Sequence, residues 1–201
     1  MTYSNPLQTT SVSIIARQVP VLATADLERI LRQVGYESTA IRAELKRLRR
    51  NKLMHVGYAN LPPLHGRTIM IKSTKPIDEM VQSISSIIRD SGKLATRPTE
   101  YVFASRTLSG LAGKPSIASL SGEMLYRQLR LSKAFTNFTI SHDPMDWQTA
   151  WPTRKQKSAV AKVAGFPDSP RFYVAPAAMT TSRVLDWLQQ INQKEGRYIV
   201  C

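Results

Sequence analysis

The chain reads as an α+β protein, mainly helical, in which an N-terminal helical unit closed by a hairpin precedes a second small α+β domain. Three observations carry this reading. Apolar residues recur at helical spacing through residues 24–50 and again through 77–88. Short β-prone runs bounded by Gly, Pro and Asn follow the first of these stretches. Residues 93–98 then read as a linker, which places a boundary near residue 95. The expected organisation is a flexible segment at 1–10, a helical unit closed by a hairpin at 11–75, a connecting or dimerisation helix at 76–95, and a C-terminal α+β domain at 96–201 with no assigned role.

Residues 11–18 hold Val12, Ile14 and Ile15 and predict a short first helix ending before Pro20. Thr24 suits an N-cap, and Asp26 and Glu28 occupy the first turn, where the helix dipole favours acids. Leu27, Ile30, Leu31 and Val34 follow at i, i+3, i+4 and i+7, and Gly35 is placed to stop the helix. Ser38 can cap the next one. Residues 53–58 read as a strand, 60–67 as a turn-rich connection and 68–72 as a second strand, so the two are expected to pair as a hairpin with a basic tip.

The helix between them, residues 38–52, is the most informative stretch. It carries Arg42, Lys46, Arg47, Arg49, Arg50 and Lys52 against a single acid, Glu44. Ile41, Leu45 and Leu48 form one seam, and at about 100° per residue Arg42, Lys46, Arg49 and Arg50 fall on a face about 120° away. A helix with one buried stripe and one guanidinium-rich stripe suits a nucleic-acid groove.

The order helix, helix, Gly-containing turn, basic helix, hairpin resembles the winged helix-turn-helix family over residues 11–73. The phrase running from Ile41 through Val56 is similar in pattern to regulators of bacteria, phages and plasmids. The resemblance implies that residues 24–31 belong to the scaffold helix, 38–50 to the recognition helix and 60–67 to the wing. It places Thr39, Arg42, Ala43 and Lys46 toward base edges of duplex DNA, with Ser38 beside them in the DNA-binding set. Arg49 and Arg50 are then expected on phosphates, and Arg67, in the wing stretch, also belongs to the DNA-binding set. A bidentate Arg42–guanine contact would contribute about 1–3 kcal/mol of discrimination. The resemblance also implies a homodimer, for which the stripe Ile77, Met80, Val81, Ile84, Ile87, Ile88 is a candidate, although so wide a stripe more often packs on its own domain.

The second half carries weaker signals. Residues 101–103 suggest a strand and 105–119 a loop-rich stretch. Ser121 is a candidate cap for a helix through Lys133, and residues 135–140 alternate as a strand would. Residues 153–164 look helical, 172–174 look like a strand, and Thr181 or Ser182 can open a last helix before a final β-prone run at 198–200. Trp147, Trp151, Arg154, Lys155 and Lys157 interleave aromatics with bases, a composition that can clamp single-stranded nucleic acid. Two indoles four residues apart also suit a core beside a charged edge, the more common arrangement.

The formal charge is +14, from 28 Lys and Arg against 14 Asp and Glu, and it divides as +5 over residues 1–60, +4 over 61–120 and +5 over 121–201. Such an excess attracts polyanions, so the expected partner is nucleic acid, with duplex DNA favoured and RNA or single strands also accommodated. Chemistry of other kinds finds few residues. Cys201 is the single cysteine, and His55, His65 and His142 are scattered, which suggests no metal or cofactor. Asp143 and Asp146 flank Pro144 where a helix start would use them as caps rather than as metal ligands. No Gly-rich phosphate loop is present, and the chain is not expected to be an enzyme.

No apolar run reaches membrane-spanning length and the N-terminus lacks a signal-peptide pattern, so a cytoplasmic, nucleoid-associated location or a place within a viral particle is expected. The second of these belongs to a different reading, a nucleic-acid-packaging protein such as a nucleocapsid or filament coat subunit. The spread of charge over both halves, the Trp/Arg/Lys cluster and the absence of a ligand or catalytic site in the sequence favour it. Residues 143–166 also resemble the coat proteins of flexible filamentous plant viruses.

Overall fold

The computed structural model describes residues 6–64, 68–71, 76–92, 95–115, 117, 120, 122–140, 142, 146–152, 160–163, 171–174, 180–192 and 197–200. The fold is α+β, with helices outweighing strands among these residues and two small sheets between them.

The chain begins with α1 (Pro6–Ser13), continued by a π-helical turn, Ile14–Gln18. The wide turn is closed by the Val19 amide donating to the Ile14 carbonyl at 3.1 Å, and it buries Ile14, Ile15, Ala16 and Gln18. After β1 (Leu22–Ala23) comes α2 (Thr24–Gln33), then α3 (Ser38–Arg50). Thr24 and Ser38, expected as caps, are instead the first helical residues; Ala23 and Glu37 stand at the extended cap positions and neither makes a side-chain cap bond.

Both helices end in the same way. Gly35 (φ +100°) and Lys52 (φ 55°) take the left-handed conformation. Their amides donate to the carbonyls of Arg32 and Arg49, and the following amides, Tyr36 and Leu53, donate to Leu31 and Leu48. These paired bonds satisfy the last carbonyls and reverse the chain within a few residues.

β2 (Met54–Leu61) does not pair with β3 (Thr68–Ile71), so the expected hairpin does not form. Its partner is β4 (Arg97–Ala104), in antiparallel register from Met54↔Ala104 to Leu61↔Arg97. β4 also takes β1, with Leu22 opposite Val102, giving the order β1-β4-β2. Two features favour β4 over the nearer strand. It matches β2 along its whole length, and Gly57 leaves open the space that the ring of Tyr101, its cross-strand partner, occupies.

The second sheet has the order β3-β8-β7-β6-β5, formed with β5 (Trp147–Thr149), β6 (Val160–Val163), β7 (Arg171–Val174) and β8 (Arg197–Val200). All its pairs are antiparallel except β7–β8, which the helix α7 (Thr181–Asn192) joins in parallel. Residues 160–163, expected as the end of a helix, are thus a strand. The rest of that expected helix, 153–159 and 164, lies outside the described residues. A short helix, α5 (Arg106–Leu111), occupies the stretch expected as loop, with Ser105 capping it by accepting from the Leu108 amide at 3.2 Å.

α6 (Gly122–Phe138) runs through residues expected as a strand at 135–138. Its apolar residues explain this. Leu131, Ala134, Phe135 and Phe138 fall at helical spacing and all meet the main core, Phe138 from its edge. That core joins Ile15, Leu27, Leu31, Ile41 and Leu48 of the N-terminal helices to Phe135, Trp147, Val163 and Phe172 of the second half.

Segments on either side of residue 95 therefore share sheets and a core: β4 completes the first sheet, and β3 sits at the edge of the second. The stripe on α4 (Ile77–Gly92), considered above for dimerisation, is covered within the chain. Met80, Val81, Ile84 and Ile88 pack with Val184 and Leu188 of α7. No described helix is long and apolar enough to cross a membrane.

Candidate nucleic-acid interface

Helix α3 is held from beneath by Ile41, Leu45 and Leu48, each at most 4% exposed. Its single acid also points inward. Glu44 is buried and accepts from Arg47 at 2.9 and 3.0 Å, and the same guanidinium donates to Gln8 of α1 at 2.6 Å. The bond to Glu44 raises the Arg47 pKa above its already high value, partly opposed by desolvation, so the cation is fixed. One of the six bases is thereby spent on neutralising the helix's own acid.

The outward face is correspondingly cationic. Ser38, Thr39, Arg42, Ala43, Lys46, Arg49 and Arg50 are all exposed. Among the described residues, Arg42, Lys46 and Arg50 make no hydrogen bond or ion pair, and Lys52, at the left-handed end of the helix, is also exposed. Charges without an internal partner remain available to an external anion.

Arg49 differs from its neighbours. Its Nη2 donates to Oε1 of Glu100 on β4 at 2.6 Å, and the hydroxyl of Tyr58 on β2 donates to Oε2 of the same carboxyl at 2.8 Å. Partial burial pushes the Glu100 carboxyl up, but Tyr58, the Thr24 hydroxyl and Arg49 together outweigh it and hold the group below the usual carboxylate range. The bond to Glu100 in turn raises the Tyr58 hydroxyl above the ordinary tyrosine value. Tyr58 is 70% exposed, so its ring stands open to solvent. Neither Tyr58 nor Glu100 stands out in the sequence, since 51 residues separate Arg49 from its acid.

Of the second surface expected from the sequence, the two described residues, Trp147 and Trp151, are both buried. Trp147 is fully buried between Phe135, Phe138 and Phe172, with ring centroids at 5.7, 5.5 and 4.7 Å, and its Nε1 donates to Thr149 Oγ1 at 2.8 Å. Trp151 is 6% exposed and packs with Leu125, Tyr126 and Leu129 under the Lys114 ammonium. Neither indole can stack on a base without leaving its core. Arg67, Arg154, Lys155 and Lys157 lie outside the described residues.

Asp146 lies in a 3₁₀ turn directly before β5; Asp143 lies outside the described residues. His142 stacks on Phe138 at 4.3 Å and its Nδ1 meets the Phe138 carbonyl at 3.1 Å. Among the described residues no three His, Cys, Asp or Glu side chains gather as a metal site would require. Set beside known protein families, characterised proteins and solved structures, the chain matches none of them.

Proposed function

We propose that this protein binds double-stranded DNA by laying α3 in the major groove, as a regulator of the bacterial, phage or plasmid kind. The observation that carries the reading is the one-sided chemistry of α3. Its only acid is buried and neutralised by Arg47, while Arg42, Lys46 and Arg50 face outward without partners among the described residues. Such cations release condensed counterions when they meet phosphates, so the affinity falls steeply with salt.

The local architecture supports the same reading. α2, the Gly35 turn and α3 give a helix-turn-helix, and β2 and β4 behind it give a strand pair. In a winged helix-turn-helix these would be the two wing strands, with residues 62–96 as an insertion between them. The packaging alternative keeps the support of charge on both halves, but the burial of Trp147 and Trp151 removes the stacking surface that had favoured it.

The test is a gel shift with random duplex DNA, single-stranded DNA and single-stranded RNA over a salt series. Arg42→Ala combined with Lys46→Ala is expected to lower duplex affinity on the order of a hundredfold while the circular-dichroism spectrum stays unchanged. Undiminished duplex affinity in that variant, or a preference for single strands, rules the assignment out.

A further inference from the structure

At the corner where α3 meets β2, two donors from different elements converge on one oxyanion. The Arg49 guanidinium reaches Oε1 of Glu100 at 2.6 Å and the Tyr58 hydroxyl reaches Oε2 at 2.8 Å. Two donors converging on two oxygens of one charge is also how a phosphodiester is held. The cluster lies beside the unpartnered bases of α3, and the Arg49 and Glu100 side chains are 39% and 32% exposed. An ion pair that open to water contributes little net stability, so another anion can displace the carboxylate at small cost.

We propose that Arg49 and Tyr58 form a backbone-phosphate subsite, and that Glu100 is the internal competitor which nucleic acid must displace to occupy it. Glu100 is then an affinity-setting residue that holds binding below what the exposed cations would otherwise give. This rests on the reading of α3 as the DNA-binding helix. The exchange is carboxylate for phosphate on the same two donors and makes or breaks no covalent bond.

The experiment is a fluorescence-anisotropy titration of a labelled random duplex against the full chain over a salt series. Glu100→Gln keeps the shape and removes the charge. It is expected to tighten binding about three- to tenfold and to steepen the log–log salt slope by about 0.9, the contribution of one further phosphate contact. The gain is expected to disappear when Arg49→Ala is also present, and Tyr58→Phe is expected to give back part of it.

A general effect of removing one negative charge would survive in the Arg49→Ala background, and that result overturns the subsite. An unchanged salt slope overturns it too. If Arg42→Ala with Lys46→Ala weakens binding but Glu100→Gln brings no gain, the subsite is wrong and the role of α3 stands. If the wild-type chain does not bind the duplex, or the Arg42/Lys46 double variant binds as wild type does, both fail together. Thermal melts of each variant separate lost binding from lost folding.

Discussion

At Glu100, burial and hydrogen bonding pull one carboxyl in opposite directions, and the bonds win. Its folded-state pKa lies below the unfolded value, so the stability it contributes is fully present above the unfolded pKa, about 4.3. That contribution is lost as pH falls through the folded value. The difference in unfolding free energy between the wild-type chain and Glu100→Gln is therefore expected to stay level between about pH 5.5 and 7 and to shrink below about pH 4. Urea titrations at several pH values measure it, and a difference that widens on acidification would contradict the assignment. Glu44 shows how far such roles can be read locally. Its partner Arg47 lies one helical turn away and the pair falls within a single motif, whereas Glu100 reaches Arg49 only through the β2–β4 ladder.

Among elements, α2 and α3 are the most legible, because apolar spacing, a first-turn acid and Gly35 agree with one another. α6 was less so. Phe135, Thr136, Asn137, Phe138 read as alternation, yet in the helix Phe135 and Phe138 both turn to the core, and the Thr136 hydroxyl is satisfied by the Ser132 carbonyl at 2.9 Å. α6 is tied to its neighbours by polar contacts that no local pattern announces. The Ser132 hydroxyl donates to the Val21 carbonyl, and Lys133 Nζ meets Asp26 Oδ1 at 2.5 Å.

The Asp26–Lys133 pair is asymmetric, with the carboxylate side chain 7% exposed and the amine side chain 27%. Lys133→Ala strands a buried charge and is expected to cost about 3 kcal/mol. Asp26→Ala leaves an amine that can turn to water and is expected to cost about 1 kcal/mol. Denaturant midpoints of the two variants give the comparison, and equal losses would show that the pair is not held as described.

At the scale of the whole molecule, the two halves complete each other. β4 lies between β1 and β2, and Trp147 is fully buried in a core that also holds Ile15, Leu27 and Leu48. A chain ending at residue 95 lacks that central strand and the indole. It is expected to show no cooperative melting transition by circular dichroism, whereas the full chain melts cooperatively. A sharp transition in the fragment would instead mark the first 95 residues as a self-sufficient domain. The linker-like composition of residues 93–98 suggested a boundary because composition reports local flexibility and says nothing about which strands pair across it.

The sequence by itself determined what depends on neighbours within a few turns. It placed α2, α3 and α4, the stop at Gly35, the buried seam of Ile41, Leu45 and Leu48, and the basic face opposite. The tertiary structure alone decides that β2 pairs with β4 rather than β3, that α7 covers the stripe on α4, that Trp147 and Trp151 are core, and that Glu100 holds Arg49. The physical reason is range. Helix periodicity and end signals act over three to five residues, whereas strand pairing and side-chain burial join residues far apart in the chain, and the free energy that selects them comes from surfaces that meet only once the chain has folded.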